Sequence, residues 1–290
     1  MNLLDETKFI MKKYNINANK KLGQNFLIDD NAVSEIVNQS EISKSDLVIE
    51  IGPGLGTLTS RLLEKAGKVI AIELDTKVLN ILKDRFSLYE NFKLIHNDIL
   101  KVDLKTLIEE NLNSEITTCK IVANLPYYIT TPIIMKLLED DLPLNSITVM
   151  VQKEVAERLT AIPGEKDSGS ITHIIYYYTE PSLILNVLRD SFLPAPEVDS
   201  AVMKLKLLEK PRVEVKDKKL FFEVIKAAFS LKRKTLVNCF MNSKLFKNKE
   251  EIENTLTSLN IDLKIRGEKL TIEDLAKIAN IIYSKNPQQP

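Results

Sequence analysis

Apolar, β-branched runs recur along the first two-thirds of the chain, and amphipathic stretches separate them. Residues 47–51 (LVIEI) read as a buried strand, and 68–74 (KVIAIEL), 92–97, 120–125 (KIVANL) and 146–152 as further strands. Between the first two, residues 57–66 place Leu58, Leu62, Leu63 and Ala66 on one helical face, with Gly67 as the stop. Residues 76–86 and 131–139 read as helices in the same way. Strand and helix in turn predict an α/β fold, a mostly parallel sheet with helices on both faces. Such sheets bind ligands at the carboxyl ends of their strands. Residues 182–187 and 200–208 read as two more strands closing the sheet edge, which makes seven. From about Val213 the pattern is helical only. The predicted organisation is a sheet domain over 1–210 and a small all-helical domain over 211–290, divided in the charged, Pro-containing stretch 209–216.

Composition narrows the class. With 44% hydrophobic and 28% charged residues in 290, the chain reads as a globular protein, not a collagen-like, low-complexity or wholly disordered one. Two cysteines, Cys119 and Cys239, are too few for a disulfide framework, so a reducing, cytoplasmic setting is expected. No run approaches 18 uncharged apolar residues, so no membrane span is expected. Asp5 and Glu6 with no apolar h-region argue against a secretory signal. His96 and His173 lie far apart, and with two isolated cysteines they make no metal set. Cys119 reads as core, and Tyr176, Tyr177 and Tyr178 as packing on a helix. A monomer is the default expectation.

Charge is neutral in total and uneven in place. Residues 1–200 carry 21 basic against 29 acidic side chains, residues 201–249 carry 14 against 4, and residues 250–290 carry 5 against 7. Lys8, Lys12, Lys13, Lys20 and Lys21 form a second basic run with no acid among them. Such blocks read either as solvated faces or as local grips on an anionic polymer, which net charge would never reveal.

Candidate chemistry sits at the predicted strand ends. Glu50-Ile51-Gly52-Pro53-Gly54-Leu55-Gly56 joins the first strand to the first helix. Glycines at alternate positions allow a tight turn and let a ligand lie against the backbone. The spacing departs from the dinucleotide fingerprint, and the preceding acid favours a ligand with a cationic, zwitterionic end over a diphosphate. Glu73 ends the second strand, where a carboxylate accepts from both ribose hydroxyls. Asp98 follows the third, placed to accept from an adenine amine, although alone it reads equally as a helix cap. Taken in order, the three point to an adenosine ligand without phosphates, which S-adenosylmethionine fits.

The fourth strand ends in Asn124-Leu125-Pro126-Tyr127. Pro126 fixes a bend and removes a donor, so neighbouring carbonyls can face a pocket. An asparagine oxygen and a backbone carbonyl can accept both protons of an exocyclic amine, while Tyr127 offers a stacking face. Adenine's amine is a poor nucleophile because its lone pair is delocalised. Two fixed acceptors would draw the nitrogen toward tetrahedral shape and free that lone pair for in-line attack on a methyl sulfonium.

These motifs, with residues 21–27 (KLGQNFL), 151–158 (VQKEVAER) and 192–201 (FLPAPEVDSA), resemble the ribosomal RNA adenine dimethyltransferase family, on its bacterial small-subunit branch. The similarity runs from about Asn19 through residues 229–236. The resemblance implies a class I methyltransferase (Rossmann-like) sheet, a helical C-terminal domain and S-adenosylmethionine as donor. It implies N6,N6-dimethylation of two adjacent adenosines near the 3′ end of small-subunit rRNA, with that rRNA and an immature 30S subunit as partners. It assigns Asn25, Leu27, Gly52, Glu73, Asp98 and Asn124 to the cofactor, beside Gly54 of the loop. Tyr127 and Phe192 become the aromatic pair around the target base. Without the family, Phe192 reads equally as packing under a Pro-rich loop, and residues 24–27 as a helix-capping segment. Lys20, Lys21, Lys232, Arg233 and Lys234 are then candidates for gripping RNA phosphates. Two alternatives use the same scaffold: a 23S rRNA adenine methyltransferase of the macrolide-resistance type, and a non-catalytic RNA-binding relative.

Overall fold

The computed structural model describes residues 2–19, 22–165 and 167–285. Its strands are β1 (Phe26–Leu27), β2 (Asp46–Ile51), β3 (Lys68–Glu73), β4 (Phe92–His96), β5 (Thr118–Asn124), β6 (Ser146–Gln152), β7 (Thr179–Val187), β8 (Phe192–Leu193) and β9 (Ser200–Leu207). Its helices are α1 (Leu3–Lys13), α2 (Asp30–Gln39), α3 (Thr57–Lys65), α4 (Thr76–Phe86), α5 (Leu104–Glu109), α6 (Thr130–Glu139), α7 (Lys153–Thr160), α8 (Ser170–Tyr178), α9 (Lys218–Ala228), α10 (Leu236–Met241), α11 (Lys249–Ser258) and α12 (Ile272–Lys285).

Seven strands form one sheet in the order β4-β3-β2-β5-β6-β9-β7. The β4-β3, β3-β2, β2-β5 and β5-β6 pairs are parallel, and β9 runs antiparallel to β6. The predicted mostly parallel, seven-stranded α/β sheet is therefore what forms. Every residue of β2 is buried, which is why its sequence shows no polar alternation. From β2 the chain builds outward through β3 to β4, then returns to the other side of β2 with β5 and β6. That reversal leaves a crevice above the carboxyl ends of β2 and β5, where open sheets of this kind bind ligands.

The glycine loop turns β2 into α3 under a tight steric limit. Gly56 caps α3 at φ +85°, a left-handed conformation. A Cβ built on it would stand 2.4 Å from the Phe86 ring of α4. Only glycine lets the two helices close over this turn. Gly56 also leaves the α3 N-terminus without a side-chain cap. By contrast, α2 and α4 are capped by Asp29 and Asp75.

α1, α2, α5 and α7 lie outside the sequence expectation. α1 is capped by Asn2 and buries Leu3, Thr7 and Ile10. α2 buries Ala32, Val33, Ile36 and Val37 in the same core as Leu58, Leu62 and Phe86. The segment around Asn25, left open in sequence as a capping stretch, instead contributes a strand. β1 pairs antiparallel with β8, Leu27 opposite Phe192 and Phe26 opposite Leu193.

The chain divides into two compact units. One comprises Met1–Ala156 and Ser182–Leu207, and the other Glu157–Pro181 and Leu208–Pro290, taken over the described residues. The second therefore holds a segment that the sequence reading assigned to the first domain. Its reason is aromatic packing. Tyr177 of α8 packs on Phe221 and Phe222 of α9 at ring-centroid distances of 5.2 and 5.5 Å, and His173 packs on Phe229 at 5.0 Å. Local periodicity in α8 cannot reveal partners forty residues downstream.

Cys119 is buried in β5, and burial pushes its thiol up to about 12, so it is an inert core residue. Among the described residues no helix is long and apolar enough to cross a membrane. Nor does any group of three or more His, Cys, Asp or Glu side chains among them form a metal-holding cluster.

Candidate active site

A cleft opens above the carboxyl ends of β2, β3, β4 and β5. Asn25, Leu27, Gly52, Gly54, Glu73, Asp98, Asn124, Pro126 and Tyr127 all line it. Residues separated by a hundred positions thus converge because four strand ends share one rim. Phe192 does not line the cleft. It is only 3% exposed and packs in the core with Leu27, Val187 and Val202. Lys20 and Lys21 lie outside the described residues. Lys232, Arg233 and Lys234 are exposed and belong to the second unit.

The floor of the cleft is open backbone. A Cβ on Gly52 would meet nothing within 4 Å, so the loop borders free space there. Above it stand two carboxyl groups in a nearly water-free setting. Glu50 is 1% exposed and accepts a hydrogen bond from the Thr59 hydroxyl at 2.6 Å. Burial, with the charge of Glu73 nearby, raises its carboxyl to about 8 despite that bond. Glu73 is also raised by burial, while the amides of Asp75, Leu74 and Gly54 oppose the shift. Its Oε1 accepts from both the Leu74 and Asp75 amides at 2.8 Å, which fixes the carboxylate's orientation at the strand end. Asp98 fulfils its reading as a cap. It caps a short 3₁₀ turn by accepting from the Leu100 amide at 3.0 Å, and it faces the cleft.

The exit turn of β5 is built rigidly. The Leu125 amide donates to the Met150 carbonyl at 3.1 Å, tying the turn to β6. The Pro126 carbonyl accepts from the Ile129 amide and the Thr130 hydroxyl at 3.3 and 3.1 Å, so it is already engaged. The Asn124 Nδ2 donates to the Asn25 carbonyl at 3.2 Å. An amide has one donating and one accepting end. With the donor end committed, Oδ1 is the atom left to accept from a ligand. The loop that supplies this carbonyl is itself tied down: Gln24 Nε2 donates to Asp75 at 2.9 Å, while its Oε1 accepts from the Asn19 amide at 2.8 Å.

Ser200, at the start of β9, has no signal of its own in the sequence. It is fully buried, and its hydroxyl lies 2.6 Å from the Tyr127 hydroxyl. Burial raises the Tyr127 phenol, and the Ser200 bond opposes that shift without reversing it. Tyr127 therefore stays a neutral ring whose hydroxyl end is anchored. The anchor could have been suspected only from Ser200 closing the same Pro-rich segment that begins at Phe192.

Two predictions follow from this geometry. Ser200→Ala and Tyr127→Phe each leave a hydroxyl without its partner in a dry site, so each is expected to destabilise by about 1–3 kcal/mol. The double variant is expected to lose less than the sum of the singles, as measured by urea denaturation; additive losses would show that the two hydroxyls do not interact. The second concerns pH. Between the ordinary carboxyl value of 4.5 and about 8, the folded chain holds a proton on Glu50 that the unfolded chain has released. Its contribution to stability is thus lost as pH rises through that window. Glu50→Gln removes the titration, so its melting temperature relative to the parent is expected to climb between about pH 5 and about pH 9. A difference constant with pH would refute the assignment.

A profile of the ribosomal RNA adenine dimethylase family matches residues 15–284. The "Ribosomal RNA small subunit methyltransferase A" of Clostridium acetobutylicum is 49% identical over 277 residues, covering 96% of this chain and 98% of that one. The protein of the same name from Bacillus pumilus is 48% identical over 278 residues, covering 95% of each chain. Among solved structures, a dimethyladenosine transferase from Plasmodium falciparum superposes with a TM-score of 0.74 at 28% identity, over 90% of this chain and 98% of that one. The 23S rRNA methyltransferase ErmE shares the fold, with a TM-score of 0.68 at 22% identity over 88% of this chain and 98% of that one. With nearly its whole length matched and every strand-end motif gathered in one cleft, the chain belongs to the ribosomal RNA adenine dimethylase family.

Proposed function

We infer that the protein transfers methyl groups from S-adenosylmethionine to N6 of two adjacent adenosines near the 3′ end of small-subunit rRNA, giving N6,N6-dimethyladenosine. The observation that carries this reading is the orientation of Asn124, whose donor end is held by Asn25 and whose oxygen is left to the cleft. The cofactor fits the residues present. The glycine floor admits a ligand where a Cβ at Gly52 would meet open space. Glu73 matches a ribose diol, Asp98 an adenine amine, and Glu50 the ammonium end of a zwitterion. Asn25, Leu27 and Gly54 complete the lining. When bound, S-adenosylmethionine supplies an electrophilic methyl group.

The chain's own residues then do the following. Asn124 Oδ1 and the Leu125 carbonyl accept the two protons of the target amine, which aims its lone pair out of the ring plane. Pro126 holds that turn. Tyr127, anchored on Ser200, stacks on the target adenine and stabilises it after removal from its neighbours, a step that costs a few kcal/mol. Phe192 supports this arrangement from behind Leu27 in the described conformation. The helical unit, with Lys232, Arg233 and Lys234, contributes to RNA binding together with Lys20 and Lys21. The partner is an immature 30S subunit, bound in the cytoplasm by a monomer.

Methyl transfer to unmethylated small subunits, followed by nucleoside analysis, tests the reaction. The parent protein is expected to yield N6,N6-dimethyladenosine, and Asn124→Ala to lose transfer by at least about 100-fold, the scale of removing one preorganised electrostatic group. Product on large subunits alone would favour the 23S alternative, and no product from the parent would favour a non-catalytic binder. Neutralising Lys232, Arg233 and Lys234 together is expected to weaken subunit binding and to flatten its dependence on salt, with cofactor affinity unchanged. Unaltered subunit affinity would remove these residues from the RNA surface.

A further inference from the structure

We propose that Tyr128 is a second base-binding residue, whose ring stacks on the nucleobase next to the adenosine being methylated. The proposal rests on the reading above and extends its binding site by one nucleotide. Tyr127 and Tyr128 are consecutive in the short 3₁₀ turn after Pro126, and both line the cleft, but their surroundings differ. Tyr127 is partly buried with its hydroxyl on Ser200. Tyr128 is 57% exposed, the most exposed of the large apolar side chains lining the cleft. What sets this ring apart from other exposed apolar side chains is its place in the cleft, where it offers a flat face beside Tyr127.

The ring lies beside the loop that also supplies the Asn25 carbonyl to Asn124. Gly23 sits there at φ +63°, in the left-handed region, and a Cβ built on it would stand 3.4 and 3.5 Å from the Tyr128 Cδ1 and Cε1 atoms. Glycine at this position keeps the near side of the ring uncrowded. Asn124 and Tyr127 take the target adenine; Tyr128, at the outer edge of the same turn, meets the base that follows it on the strand.

The chemistry of the substrate suits such a platform. Both adenosines of an adjacent pair are modified, so when the first is the target the base that follows it is the second, a purine. N6-methylation changes the edge of that purine and leaves its π-face intact. One ring can therefore hold this neighbour before and after its own methylation, where a hydrogen-bonding residue reading the N6 edge would fail once the neighbour is methylated.

The test combines the cofactor dissociation constant, from calorimetry, with KM and kcat for unmethylated small subunits. Tyr128→Leu keeps an apolar side chain and removes the π-face. It is expected to raise KM for subunits roughly 10-fold, within the range of a single base–aromatic stack, with cofactor affinity unchanged. Tyr128→Phe is expected to restore most of that loss. Subunits whose neighbouring adenosine is replaced by uridine are expected to lose affinity with the parent protein and little more with Tyr128→Leu, because the stack is already weakened. A parental KM in Tyr128→Leu overturns the proposal. So does an equal loss in cofactor affinity, or additive effects of the protein and RNA changes. Failure of the parent protein to methylate small subunits at all would overturn the underlying reading as well, and is distinguished by the absence of product.

Discussion

The site depends on which way one amide points. Asn124 ends β5 in the crevice where strand order reverses, and its side chain can present either an oxygen or a nitrogen. The Asn25 carbonyl settles the choice by accepting from Nδ2. If the loop carrying Asn25 were displaced, the amide would be free to turn a donor toward an amine that already has two donors of its own, and that arrangement repels. The long-range pairing of β1 with β8, and the Gln24 bridge between Asn19 and Asp75, therefore act on the orientation of Asn124 through a single hydrogen bond.

Electrostatics adds a second constraint. Glu50 and Glu73 sit on adjacent strands, both buried and both with raised carboxyl values. Two like charges in a dry crevice are unfavourable, and Glu50 avoids the conflict by holding its proton to about 8. A cationic group entering the cleft reverses that preference, because it favours the ionised carboxylate. Burying the two acids side by side therefore costs the fold stability.

The sheet was legible because both of its faces are covered. Strands such as β2 and β5 show little polar alternation, and the helices between them show clean one-sided periodicity. The strand-end acids and glycines were legible because their order along the chain follows their order around the rim. What stayed hidden depends on distant partners. Ser200 is an ordinary strand residue until its hydroxyl meets Tyr127, seventy-three positions away. α1 places Leu3 in a cluster that includes Phe86 and Val202, and Ile10 in one that includes Leu55 and Ile81. The division between units was misjudged at residues 157–181 because the aromatic partners of α8 lie on α9.

The segment from Phe192 to Ser200 shows how a motif can be recognised in sequence and still have its parts in unexpected roles. Read alone, its aromatic residue suggests a stacking partner. In the structure its two ends do different jobs. Phe192 pairs through β8 with Leu27 and fills the core behind the cleft wall, while Ser200 reaches the cleft through the Tyr127 hydroxyl. A ring that is 3% exposed has no free face for a base, so stacking by Phe192 requires the β1–β8 pair to shift. Tyr127 needs no such movement, since its anchor already fixes the ring at the rim. The two aromatic residues are therefore unequal: Tyr127 lines the cleft, and Phe192 shapes the wall that positions Leu27 and, through the same short strand, the Asn25 carbonyl that accepts from Asn124.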